Sequence, residues 1–280
     1  EPGCILKMKV KVYGFNHSPW VQAVLLALHD QQIEHDVYQI PSFKIFNKWG
    51  IYMPVVSIDE NPAEIESTKI LQKLNYNAIT ENELRAIRGT WQGVFHRTNN
   101  PLNFFSAWAH DADSKSNVFK RSINNFLLSF TTFYMFVLIN LINFRSKNKD
   151  PKNFGDQYLF WESELNKSES PFLDGDNPGT RDLLLFGIIQ CHASLPVPPL
   201  EALQNDARLA EVRNWISKMQ VRFKDYVYLH SGEHFEPSVI KTNRTSFLQR
   251  CVFYFGMATM FVGFPLSLAL VFWCMRKVPR

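Results

Sequence analysis

From residue 251 to 275 the chain reads CVFYFGMATMFVGFPLSLALVFWCM, 25 residues without a charge. No other feature restricts the fold as tightly. As one helix the run is about 38 Å long, against a hydrocarbon core of about 30 Å, so it can cross a bilayer with some tilt. Arg244 and Arg250 precede it, and Arg276, Lys277 and Arg280 follow it, placed as snorkelling anchors. Tyr254 and Trp273 lie near its ends, where amphipathic rings favour the membrane interface. Pro265 kinks such a helix, which lipid-embedded helices tolerate. The competing reading is a buried core helix, but core helices rarely stay uncharged for so long. The expectation is a single transmembrane helix over 251–275, after a linker at 236–250 and before a basic tail at 276–280, the layout of a tail anchor. Basic residues balance across the run, so they do not orient it.

A second uncharged stretch, 122–144, carries Asn124, Asn125, Ser129, Thr131, Thr132, Asn140 and Asn143. Those polar residues favour a buried helix in a helical domain over a span. The apolar centre at 133–139 is the segment a partner subunit or a bilayer would cover. The chain has 280 residues with 46% hydrophobic and 20% charged, which is globular. Thirty Lys and Arg against 26 Asp and Glu leave +4, too mild a balance to indicate nucleic acid. Cys4, Cys191, Cys251 and Cys274 form no CxxC, and His96, His110, His192, His230 and His234 have no ligand spacing, so no metal is expected. So few cysteines suit a reducing compartment.

Residues 8–15 alternate like a strand, and 16–19 (NHSP) turn the chain into a helical pattern over 20–29. Strand patterns follow at 33–39 and 52–58, then a turn at 59–61, then a helix from 67 to 74. Beyond residue 81 the patterns are helical, over 83–95, 118–144, 157–165, 182–193 and 207–226, with proline-rich 195–200 between the last two. An α/β module followed by an all-helical one predicts two packed domains, at 8–80 and 81–235.

Four elements then stand in register: Ser18-Pro19-Trp20-Val21 after the first strand, Met53-Pro54-Val55-Val56 at the third, Ile65-Glu66-Ser67-Thr68 at the next helix, and Asp174-Gly175-Asp176 with Asp182-Leu183-Leu184-Leu185 in the second module. In this order the chain resembles the glutathione S-transferase family over about residues 8–230. The resemblance implies an α+β thioredoxin-like domain, an all-α glutathione-transferase C-terminal domain, and glutathione as co-substrate. It implies a cis peptide before Pro54, with Met53 and Pro54 beside the cysteinyl moiety. It implies that Glu66 and Ser67 hold the γ-glutamyl group, the serine taking its carboxylate and the acid pairing its ammonium. Ser18 then donates a hydrogen bond to the glutathione sulfur, favouring the nucleophilic thiolate. Tyr13, late in the first strand, is the rival for that role.

The departures are specific. Ser18 and Val21 stand where redox-active relatives carry cysteines, so no mixed disulfide forms there. Ala23 replaces a frequent arginine. Gly179 replaces the Ser or Thr that opens the second domain's capping box, leaving Asp182 to cap for folding. An electrophile pocket between the domains is expected from Trp91, Phe95, Phe104, Phe105 and Trp108. Two readings follow. The first is a membrane-anchored transferase conjugating or reducing lipophilic electrophiles with glutathione. The second is a non-catalytic accessory subunit or adaptor of a membrane complex. The family also predicts a homodimer, in place of or beside partner subunits. The basic flanks of 251–275, and a start at Glu1 that permits a removed targeting peptide, suit an intracellular, mitochondrial membrane.

Overall fold

A computed structural model describes residues 9–59, 61–91, 93, 117–146, 151–194, 197–235 and 246–277. The expected α/β module is present as β1 (Val10–Tyr13), α1 (Pro19–Asp30), β2 (His35–Tyr38), α2 (Phe43–Trp49), β3 (Val55–Ile58), β4 (Glu64–Ile65) and α3 (Ser67–Lys73). The sheet order is β2-β1-β3-β4, with β1 parallel to β2 and antiparallel to β3, and β3 antiparallel to β4. That is a thioredoxin-like sheet. Alternation along β1 sets its faces: Val10 and Val12 are buried, while Lys11 and Tyr13 stay partly exposed. Asp59, at φ 49°, opens the predicted turn between β3 and β4.

The helical module comprises α4 (Glu81–Gly89), α5 (Val118–Ser146), α6 (Leu159–Lys167), α7 (Thr180–Ser194), α8 (Pro198–Asn205) and α9 (Ala210–Arg222). Thr80 and Glu83 form a reciprocal capping box at the start of α4. In α7, every residue from Leu183 to Ala193 is buried, so it is the central helix, covered on all sides. It packs on α1 so closely that a Cβ at Gly187 would lie 2.5 Å from the Pro19 carbonyl oxygen and 3.1 Å from the Ala23 nitrogen. This contact accounts for Ala23: a long arginine side chain has no room against α7.

Further bonds fix the two modules together. Gln22 donates to the Tyr228 carbonyl at 3.3 Å and accepts from the Tyr226 hydroxyl at 2.8 Å. Arg222 donates to Asp30 at 2.8 Å. At the start of α7, Asp182 is buried and accepts from the backbone N–H groups of Leu173, Asp174 and Gly179 at 2.9, 3.1 and 3.0 Å. It also accepts from the Trp215 indole at 2.8 Å. One carboxylate thus caps α7, closes the 173–179 loop and ties in α9.

His192, wholly buried in α7, lies 2.8 Å from the Tyr158 hydroxyl through Nδ1. Burial pushes its imidazole down to about 3 from 6.5. Because the folded value is the lower one, the stability held by neutral His192 is complete above pH 6.5 and is lost as pH falls toward 3. Between pH 7 and 5 this costs about 2 kcal/mol. Urea unfolding at both pH values is expected to show that extra loss in the native chain relative to His192→Gln. Equal losses would mean that the imidazole is not held neutral.

One expectation is corrected and a second is narrowed. The run at 251–275 is not one helix. It is divided between α10 (Phe247–Val262) and α11 (Phe264–Met275), which meet at Gly263 with a bend of 96°. Pro265 lies in the first turn of α11, where it starts a helix rather than kinking one. The segment 133–139 is only partly open, with residues 135–138 half-buried. Phe133, Tyr134 and Ile139 are buried, and the Phe133 ring meets Phe261 and Phe264 edge-on at 5.4 and 6.2 Å. Helix α5 nevertheless contains the described helix long and apolar enough to cross a membrane, Val118–Leu141, half of it buried.

Candidate functional site

Strand register brings the expected site residues to one end of the sheet. Tyr13 pairs with Val55 across β1 and β3, and Val55 pairs with Ile65 across β3 and β4. In antiparallel pairs the next residues outward are then Gly14, Pro54 and Glu66, side by side in that order. Ser67 follows Glu66 as the first residue of α3, and Ser18 follows Gly14 by one short turn. In that turn the Ser18 N–H donates to the Phe15 carbonyl at 3.0 Å.

The backbone fits this crowding. Met53–Pro54 is cis. Gly14 has φ 147°, and a Cβ there would lie 2.5 Å from Val21 Cγ2 and 3.1 Å from Met53 Cβ, so only glycine lets the β1–α1 turn approach both α1 and the Met53–Pro54 segment. Glu66 has φ 72°, a left-handed value that costs a non-glycine residue of order 1–3 kcal/mol and tends to persist at ligand clamps.

The side chains divide into two groups. Ser18 is the N-cap of α1, yet its hydroxyl makes no capping bond, and it is 4% exposed. Ser67 is buried, Pro54 is buried, and Met53 is half-buried. The Glu66 carboxylate accepts a short hydrogen bond from the Tyr52 hydroxyl. Burial, then that bond, hold the Tyr52 phenol well above its ordinary range, so it stays a donor. The Tyr13 ring stacks on Tyr38 at 5.3 Å, on the sheet face opposite Val12.

Sequence reasoning missed Tyr52, which lies two residues before Pro54 and reaches Glu66 through its hydroxyl. It also missed the wall that the helical module adds. His17 stacks on His230 at 4.8 Å, and Trp20 meets Trp91 edge-on at 6.2 Å, so the helical module flanks the turn bearing Ser18 on both sides. Of the expected pocket lining, Trp91 is therefore close to the site. Phe95, Phe104, Phe105 and Trp108 lie outside the described residues, as do His96 and His110. Two surface concavities stand apart from this end of the sheet, one around Lys9, His29, His35 and Asp225, the other around Ser170 and Lys218. Among the described residues no cluster of three or more His, Cys, Asp or Glu is able to hold a metal ion.

No family model matches the chain, and no curated protein matches it. Solved structures give distant likenesses. A theta class glutathione S-transferase from Xanthomonas axonopodis pv. citri, with glutathione bound, is 12% identical with a TM-score of 0.42, over 83% of this chain and 98% of that one. Glutathione transferase F2 from Populus trichocarpa is 15% identical with a TM-score of 0.42, over 79% and 99%. Glutaredoxin 2 from Salmonella typhimurium, in complex with glutathione, is 14% identical with a TM-score of 0.47, over 79% and 97%. At these scores the likenesses decide nothing about this chain, whose fold and site rest on its own strands and residues.

Proposed function

We propose that this chain is a membrane-bound, glutathione-transferase-like protein that binds glutathione along the row formed by Gly14, Pro54 and Glu66–Ser67. The reading rests above all on the shared register of Tyr13, Val55 and Ile65, which sets three chemically matched segments side by side. In it, Ser67 supplies its hydroxyl and backbone N–H to the γ-glutamyl carboxylate, and Glu66 faces the ammonium. Met53 and Pro54 border the cysteinyl group, whose thiol points to the uncapped Ser18 hydroxyl. A hydrogen bond donated to sulfur stabilises the thiolate, the attacking form toward a lipophilic electrophile. The role needs no metal. A bilayer is the proposed second partner, through the uncharged 251–275 run, with an intracellular and mitochondrial membrane the proposed location. The proposed domain limits remain 8–80 and 81–235.

Ser18 carries more of this chemistry than Tyr13, whose ring is stacked on Tyr38. Ser18→Ala is expected to lower conjugation of a chloro-nitroarene by about 10²-fold, the loss typical of one stabilising donor, and to remove the ultraviolet thiolate absorbance of bound glutathione. Tyr13→Phe is expected to keep both. The reverse pattern would transfer the role to Tyr13.

The second reading is a non-catalytic accessory subunit, with membrane-complex subunits or a second copy of the chain as partner. It is favoured by the burial of Ser18 and by the Tyr52 bond that already occupies Glu66. A folded native chain that turns over no electrophile, with or without glutathione bound, would select it.

A further inference from the structure

The uncharged run ends where it began, on the folded part of the molecule. At its start, Asn125 of α5 donates to the Gln249 carbonyl, and the Phe126 and Phe255 rings meet at 6.1 Å. At its end, the Trp273 ring lies 5.5 Å from Phe46 of α2, and Cys274 Cβ would be only 3.3 Å from a Cβ placed on Gly50. Between these supports the chain turns through 96° at Gly263, whose N–H donates to Thr259 and whose carbonyl accepts from Ser267, with one side of the corner seated on α5 through Phe261 and Phe264 against Phe133. The corner is therefore one residue wide.

The corner is also the most exposed apolar part of the run. Val262 is 89% exposed and Leu266 79%, with Phe261 and Phe264 about half exposed beside them. Neither arm is long enough to span. Sixteen residues of α10 measure about 24 Å and twelve of α11 about 18 Å, against about 30 Å of hydrocarbon. Each is long enough to pass one leaflet. Charge divides in the same way: 251–275 has none, while Arg250 precedes it and Arg276 and Lys277 follow it, with Lys277 Nζ 4.6 Å over the Trp273 ring. Cations at both feet and an apolar tip match a bilayer with anionic headgroups better than another protein.

We infer that α10 and α11 form a monotopic elbow, which enters one leaflet by its Gly263 corner and returns, leaving both feet and the glutathione site on the same side of the membrane. The inference rests on the membrane half of the proposed function and names its geometry. It sets the thioredoxin-like module close to the surface, because α11 ends against Gly50, four residues before Pro54.

The test adds the full-length chain to preformed vesicles of phosphatidylcholine and phosphatidylglycerol. Single-cysteine versions Ser246→Cys, Val262→Cys and Lys277→Cys are floated, then treated with a membrane-impermeant maleimide. The elbow predicts flotation, labelling at 246 and 277 in intact vesicles, and protection at 262 until detergent is added. Val262→Asp, with an unchanged circular dichroism spectrum, is expected to reduce flotation at least 10-fold. Flotation with 277 protected would overturn the elbow in favour of a crossing and leave the membrane reading standing. Absence of flotation would overturn both, and a lipid-free dimer that hides 262 would assign the corner to a second copy. Glutathione titration is read separately, so its failure would touch neither outcome.

Discussion

Asp182→Ala is expected to destabilise the protein by about 4 kcal/mol, because it leaves three backbone N–H groups and the Trp215 indole buried without an acceptor. Each such donor costs about 1–3 kcal/mol when orphaned, and relaxation of the 173–179 loop recovers part of the sum. Asp182→Asn keeps one acceptor oxygen and is expected to lose about half as much. Burial raises the Asp182 carboxyl to about 6, against the pull of its four donors. Since its folded value is raised above 3.8, the linked stabilisation is complete below that pH and fades as pH rises through 6. Urea unfolding between pH 4 and 7 is expected to show the native chain losing stability relative to Asp182→Asn as pH rises, a difference that isolates Asp182 from the opposite dependence of His192. A loss under 1 kcal/mol for Asp182→Ala would mean that water replaces the carboxylate and that the cap does not hold α7.

The second large effect lies where the two modules meet. Gly187→Ala puts a methyl carbon 2.5 Å from the Pro19 carbonyl oxygen, closer than atoms approach without movement. Both groups belong to helices in the core, so neither has a flexible end that could yield. Overpacking of this kind costs about 1–3 kcal/mol, and the upper end is expected because the obstacle is backbone. The displaced residue is the neighbour of Ser18. Gly187→Ala is therefore expected to impair thiolate formation in whatever protein remains folded, whereas Asp182→Ala, remote from the site, should lower stability and spare it. Thermal unfolding together with thiolate absorbance separates the two. A Gly187→Ala protein of native stability would mean that α1 and α7 are less closely apposed.

Much of the candidate site's layout was legible in the sequence, because its residues depend on backbone placement that leaves local signatures. Pro54 before a β-branched run, the Glu66–Ser67 pair opening a helix, and Ser18-Pro19 after a strand each carry their own turn or cap chemistry. Strand pairing then does the assembly, and pairing follows from alternation. Helix α2 escaped notice because its seven residues include no buried one, so it has no periodic apolar face. Helix α8 was hidden by Pro198 and Pro199, which read as an interruption and in fact occupy the first turn.

The C-terminal run shows the limit more sharply. Twenty-five uncharged residues state that water is avoided, but not what replaces it. The bend depends on Phe133 receiving Phe261 and Phe264, and on Gly50 admitting Cys274, contacts more than a hundred residues apart in sequence. Length alone favoured one span; tertiary contacts divide it. Tyr52 was missed for a similar reason: its hydroxyl meets Glu66 through a tertiary placement that no local pattern marks.

The central claim is that the sheet end at Gly14, Pro54 and Ser67 is a glutathione site. Its most direct test is calorimetric titration of the full-length protein, in detergent, with glutathione, beside Ser67→Ala. The native chain is expected to bind saturably below millimolar concentration, and loss of one hydroxyl to a charged carboxylate to weaken binding by roughly 10- to 100-fold. A folded native protein that takes up no glutathione at millimolar concentration, or a Ser67→Ala variant that binds as well as the native chain, would contradict it.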